Sequence, residues 1–145
     1  MCEVSTVLQV ADAATSQLNA AALSQSFTAE RLYIPNFELA KLNQLRVTVV
    51  PSELHVRSLD RNRNSYEAEI DIAVQKKFKK GSNAEIDQLI ALVEEIADLF
   101  RLQRLASLPA AIWSRTEHQV LYSPEHWEQY RQFTSLLTVF FRLAR

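Results

Sequence analysis

One glycine and one cysteine are all that 145 residues contain, and each scarcity closes off chemistry. Phosphate-cradling loops and dinucleotide turns need several glycines, for positive φ and for close approach of backbone to ligand. Neither motif can be assembled here. The lone cysteine, Cys2, permits no intrachain disulfide and no cysteine-rich metal site, which fits a reducing cytoplasm. A formal net charge of −1 makes no global electrostatic case for nucleic acid. No apolar run approaches the roughly eighteen residues of a membrane span, so no membrane partner is expected. The opening MCEVSTVLQVADAA lacks a basic segment followed by a long apolar run, so no signal peptide is expected. His55, His118 and His126 fall in no HxxxH, HxH or HExxH arrangement, and there is no GxSxG. The expectation is therefore no catalytic residue, no metal and no cofactor.

What is present is ordinary globular material: 48% hydrophobic and 23% charged residues. The length suits one domain over 1–145, burying roughly 68–70% of the surface that the unfolded chain exposes. The most informative stretch is YEAEIDIAVQKKFKKG, Tyr66 to Gly81. Tyr66, Ala68, Ile70, Ile72 and Val74 occupy alternate positions, with Glu67, Glu69, Asp71 and Gln75 between them, the period of a strand with one apolar and one wet face. Three carboxylates in a row would go unpaired in a dry interior, so the strand belongs to an antiparallel sheet with one side left for water or another subunit.

Val4, Val7, Leu8, Ala11, Thr15, Leu18 and Ala22 form one stripe of an amphipathic helix over Ser5 to Leu23; a flexible alanine-rich tail is the alternative. Phe27 to Ile34 reads as a strand stopped by Pro35, and Glu38 to Asn43 as a helical turn or a loop. Leu45 to Val50 reads as a strand closed by Pro51, with the stronger claim to a central place. Leu54 to Leu59 pairs with the featured strand through the polar tip Asp60, Arg61, Asn62, Arg63 and Asn64, an exposed β-hairpin. That pairing puts His55 and Arg57 on the wet face with Glu67, Glu69 and Asp71. Ser82 and Glu85 make a capping box, and Ile86, Leu89, Ile90, Val93, Ile96, Ala97 and Phe100 stripe a second helix over Asn83 to Leu105. Arg101 and Arg104 sit near its negative end. Gly81 takes positive φ to turn the chain into that helix.

Ala110 to Tyr122 is a further strand, and Ser123-Pro124-Glu125-His126 begins a turn or short helix carrying Trp127 and Tyr130. Arg131 to Arg145 is the last strand. Phe133, Leu137, Val139, Phe141 and Leu143 mark one face, Leu136 and Phe140 the other, which implies cover on both sides by helices or by a neighbouring protein. The fold class is α+β: an antiparallel or mixed sheet of about four to six strands flanked by two main helices.

Two charged features have competing readings. The face of Arg57, Glu67, Glu69 and Asp71 is either a solvated, charge-paired surface or one turned toward a pore or partner. Glu67, Glu69 and Asp71 are spaced about 6.6–6.8 Å along a strand, better suited to spread charge than to one metal shell. Lys76, Lys77, Lys79 and Lys80 read as a basic loop that keeps a sheet edge from aggregating, or as a transient DNA contact; only Phe78 is there for stacking.

The order helix, two strands, hairpin, long helix, two strands resembles the tail terminator (tail completion, head-tail joining) proteins of long-tailed bacteriophages and their prophage relatives. Locally, Phe37-Glu38-Leu39-Ala40 with Leu45 to Pro51, Ile72 to Lys77, Leu92 to Asp98, and Gln132-Phe133-Thr134-Ser135 resemble prophage tail-region proteins. The likeness runs from about Val10 to the end, and none of these motifs is catalytic. It implies a structural virion protein at the tail–neck junction, assembled in the host cytoplasm. Its copies would form a homo-hexameric ring that caps the tail tube, halts tube polymerisation and joins the tube to the neck. The implied partners are the tube protein, the neck or stopper protein, the sheath if the tail is contractile, and DNA passing through the lumen. A closed ring needs two different surfaces meeting head to tail. Arg57, Glu67, Glu69, Asp71, Leu136, Phe140 and Arg142 are the interface or lumen candidates, and Asp60 to Asn64 the docking tip. An acidic lumen would let DNA slide. Another neck component (stopper or adaptor) and a cytoplasmic adaptor unrelated to phage are the competing readings.

Overall fold

The computed structural model describes residues 5–25, 27–33, 45–77, 83–125, 128 and 132–144. Cys2, the stretch Phe37 to Ala40, Lys79, Lys80, the Gly81 turn, Ser82, Trp127 and Tyr130 lie outside them, as do the readings placed on those residues.

The elements run α1 (Thr6–Ala20), β1 (Thr28–Arg31), β2 (Arg46–Ser58), β3 (Asn64–Lys77), α2 (Asn83–Phe100), β4 (Arg104–Leu105), β5 (Leu108–Val120) and β6 (Gln132–Ala144). The strands form one six-stranded sheet in the order β1-β2-β3-β6-β5-β4. Only β1 and β2 are parallel; every other pair is antiparallel. The fold is thus α+β, and β2 lies inside β1 as its β-branched sequence suggested.

The period of two decides which face each strand residue joins. Val47 and Val49 on β2, Ala68, Ile70, Ile72 and Val74 on β3, and Leu137, Val139, Phe141 and Leu143 on β6 all enter one hydrophobic cluster. Both helices supply its other half: Val10, Ala14 and Leu18 from α1, and Leu89, Leu92, Val93, Ile96 and Phe100 from α2. Phe100 meets Phe141 edge to face, with centroids 5.8 Å apart at 85°. Asn19 ties the end of α1 to the sheet: its Nδ2 donates to the Ala29 carbonyl at 3.1 Å, and its Oδ1 accepts from the Ala29 amide at 2.7 Å. Asp12 on α1 also pairs with Arg31 on β1.

Several boundaries move from the sequence reading. Pro51 does not close a strand: the two expected strands on either side of it are the single β2, which carries a bulge between Pro51 and Glu53. Val49 turns its carbonyl outward to the Leu32 amide (2.9 Å), so two residues on, the missing N–H of Pro51 also falls on the outer side, where no ladder partner loses a bond. The second helix ends at Phe100, five residues before Leu105, because Leu102 adopts φ 57. A left-handed residue at a helix end is usually glycine, and a β-carbon there costs roughly 1–2 kcal/mol. Released from the helix, Arg104 and Leu105 become β4. Lys76 and Lys77 are the last two residues of β3 and not part of a loop. The first helix is shorter than its stripe, stopping at Ala20 because Ala21 is extended (ψ 141).

Candidate functional site

The sheet face opposite the helices carries the residues singled out for function, in ladders set by register. Glu67 lies between His55 and Arg142, Glu69 between Glu53 and Phe140, and Asp71 between Val50 and Thr138. Each carboxylate has found a partner across a strand. Glu67 Oε2 is 3.6 Å from Arg142 Nη2. Glu69 Oε1 lies 3.0 Å from His55 Nε2, which is also 3.3 Å from Glu53 Oε2. Asp71 Oδ1 accepts a 2.7 Å hydrogen bond from the Thr138 hydroxyl. Arg115 stacks its guanidinium 4.1 Å above the Phe140 ring and reaches Glu117 at 3.6 Å. Exposed pairs of this kind contribute about 0–1 kcal/mol each, so they fix a pattern of charge more than they hold the fold.

Together Glu53, His55, Arg57, Ser58, Leu59, Ser65, Glu67, Glu69, Arg115 and Arg142 line a trough of about 680 Å³. Its carboxylates and arginines are equal in number, Glu53, Glu67 and Glu69 against Arg57, Arg115 and Arg142, with His55 among them. The row of carboxylates is therefore an acidic strand in sequence and a mixed-charge surface in space. Beyond Asp71 the same face turns buried, with Thr48, Ala73, Gln75 and Thr138 all inaccessible. Gln75 is fully buried with neither Nε2 nor Oε1 hydrogen-bonded.

The expected hairpin is present, and its tip is organised by one side chain. Asp60 Oδ1 accepts from the Asn62 and Arg63 amides, both at 2.8 Å, while Oδ2 takes the Arg63 guanidinium at 3.1 and 3.2 Å. The Asn62 amide, then Arg63, hold the Asp60 carboxyl below its ordinary range. Arg61 and Asn62 are left pointing outward on a pre-shaped turn, and Asn64 already pairs with Ser58 in the ladder.

Of the expected interface residues, the structure brings Glu67, Glu69, Asp71 and Arg142 onto one surface with Arg57. Phe140 is on that face but only 2% exposed beneath Arg115, so its contact is within the subunit; Leu136 is half-buried. Sequence reasoning missed Glu53, Arg115 and Glu117. The ligand atoms of Glu53, His55 and Glu69 lie within 4.8 Å of one another, close enough for a divalent cation. Glu53 shares the face with His55 by simple alternation and meets Glu69 in the register set at the hairpin tip; the sequence reading began that strand at Leu54 and so left it out. At the end of the sheet beside the same hairpin, Ala110, Ile112, Trp113 and Leu143 line a more apolar hollow of about 650 Å³ that shares Leu59, Ser65 and Arg142 with the trough.

No family profile matches the chain, and no curated protein matches it. Solved structures do share its fold. A chain from the virion of a native gene transfer agent (GTA) particle superposes with a TM-score of 0.64 at 16% identity, covering 98% of this chain and 100% of that one. A chain from the sheath/tube terminator of an extracellular contractile injection system, in its extended state, gives a TM-score of 0.49 at 16% identity. That match covers 99% of this chain, which spans 58% of the injection-system chain. At such identity the virion-particle likeness is one of fold.

Proposed function

We propose that the protein is a structural, non-enzymatic component of a phage-type tail, a tail terminator whose copies close into a ring on the end of the tube. The observation that carries this reading is the fold shared with a virion chain, end to end in both directions. Added to it is the resemblance in the Ile72 to Lys77 and Gln132 to Ser135 stretches.

In this reading the ring is a hexamer that stops tube growth and offers its other side to the neck or stopper protein. A sheath joins it if the tail contracts. The protein then resides at the tail–neck junction after assembly in the host cytoplasm. The trough bearing Arg57, Glu67, Glu69 and Arg142 faces the lumen or the adjoining subunit, the tip Asp60 to Asn64 docks, and Lys76 and Lys77 touch DNA in transit at most. A lumen of balanced charge gives phosphates no net attraction, so DNA slides through it without the counterion-release affinity that a basic surface supplies.

Particles imaged with and without this protein test the role. Its absence is expected to give tails of uncontrolled length. Tails of normal length that fail to join heads would assign the protein to another neck component instead, and unaltered particles would remove it from the tail altogether.

A further inference from the structure

The sheet has two open edges, and they are unlike. On one side β1 covers β2 only through the pairing of Arg31 with Val49, and the seven residues from Ser52 to Ser58 are all exposed, with no outer neighbour among the described residues. On the other side β4 covers β5 only at Leu108 and Ile112, with one more bond from the Trp113 amide to the Gln103 carbonyl (3.0 Å). Past Trp113 the outer side of β5 has no neighbour among the described residues.

Backbone direction along each edge follows from the printed pairs. The Leu59 amide donates inward to the Arg63 carbonyl, so by alternation Ser58, Val56 and Leu54 turn N–H and C=O outward. Trp113 points outward; across the bulge at Ser114, Arg115 opposite Phe140 points inward, and Thr116 and His118 point outward. Among the described residues no lysine, proline or covering loop lies along Ser52 to Ser58 or Ser114 to Val120, and the bulges sit at Pro51/Glu53, Trp113/Arg115 and His118/Val120, leaving Leu54 to Ser58 and Arg115 to His118 regular. Their side chains match face by face. Leu54 (38% exposed) and Val56 (51%) share the helix-side face with Thr116 and His118. Glu53, His55 and Arg57 share the opposite face with Arg115 and Glu117.

We propose that copies of this chain associate head to tail by β-augmentation, the open edge of β2 on one copy pairing antiparallel with the open edge of β5 on the next. Val56 lies opposite His118 and Ser58 opposite Thr116, so that Arg57 meets Glu117 on the charged face. The antiparallel sense is the one that carries the sheet on, since β2 and β5 already run opposite within a subunit through three antiparallel steps. Because the two edges differ, the contact is heterologous and leaves one of each edge free on every oligomer until a rotation closes the series. That closure rests on the ring reading; the edge-to-edge contact does not.

Paired cysteines test it. With Cys2→Ser as background, a chain carrying both Arg57→Cys and Glu117→Cys is oxidised at high protein concentration. The proposal expects a reducible ladder extending beyond dimer, whereas either cysteine alone gives no species larger than dimer. In a parallel arm without cysteines, Arg57→Glu or Glu117→Arg alone weakens assembly and the two together restore it. Absence of the ladder overturns the pairing, even where the protein is found in rings. A ladder in a protein whose removal leaves tail length unchanged keeps the pairing and removes the terminator role.

Discussion

The two halves of β2 have the same alternation and opposite surroundings. Near its root, Val47 and Val49 face Val74 and Ile72, all four fully or almost fully buried under α1 and α2. Toward its tip, Leu54 and Val56 face Ala68 and Tyr66 with the same side of the strand, and the two β2 residues are 38% and 51% exposed. Both halves are patterned to have one apolar side covered; on β3 the cover extends to Ala68 and Tyr66, but on β2 it stops at the root. Among the described residues nothing covers Leu54 and Val56, the side chains that the proposed contact with a second copy would bury. On that proposal the apolar pattern of the outer half answers to assembly, while that of the inner half answers to folding.

Substitutions should separate the two. At the covered end, Phe141→Ala deletes the ring that meets Phe100 and should cost about 3–5 kcal/mol in chemical denaturation, the usual loss for a buried aromatic. A loss under about 1 kcal/mol would mean that the cluster around Phe141 is not the folding core. An intermediate effect of opposite sign is expected at Gln75, whose buried amide has no hydrogen-bond partner. Gln75→Leu removes that desolvation penalty, about 1–3 kcal/mol, and should raise the midpoint of unfolding. Destabilisation would show that the amide is satisfied in solution. The smallest effect belongs to the open end: Leu54→Ser together with Val56→Ser should change monomer stability by no more than about 0.5 kcal/mol per site while reducing self-association. A large loss of monomer stability would erase the distinction between the halves.

The same contrast explains how much could be read in the sequence. Faces were legible: the alternation from Tyr66 to Val74 separated the two sides of β3, although Ala73 and Gln75, on the side expected to be wet, are buried, and the stripe from Ile86 to Phe100 assigned α2. His55 was rightly placed beside the β3 carboxylates because strand pairing across a short polar turn leaves little freedom of register. The bulge at Pro51 was not legible, since a proline reads as a terminator unless its missing N–H is known to fall on an outer side. Nor was the end of α2, where Leu102 takes a conformation that its side chain opposes. The electrostatic character of the wet face was half legible. Glu67, Glu69 and Asp71 are a local run, whereas their partners Arg142 and Thr138 arrive from β6, some seventy residues later, and Arg115 comes from a strand that touches β3 nowhere. Charge balance is a property of neighbouring strands, and single-strand patterns do not contain it.

Amide hydrogen exchange, compared between dispersed and assembled protein, tests most directly the claim that the outer halves of β2 and β5 are edges built for a second copy. Protection should appear on assembly at the amides of Leu54, Val56, Ser58, Thr116 and His118, with Ile72 and Val139 equally protected in both states. Assembly that leaves those five amides exchanging freely, with protection gained elsewhere, would contradict it.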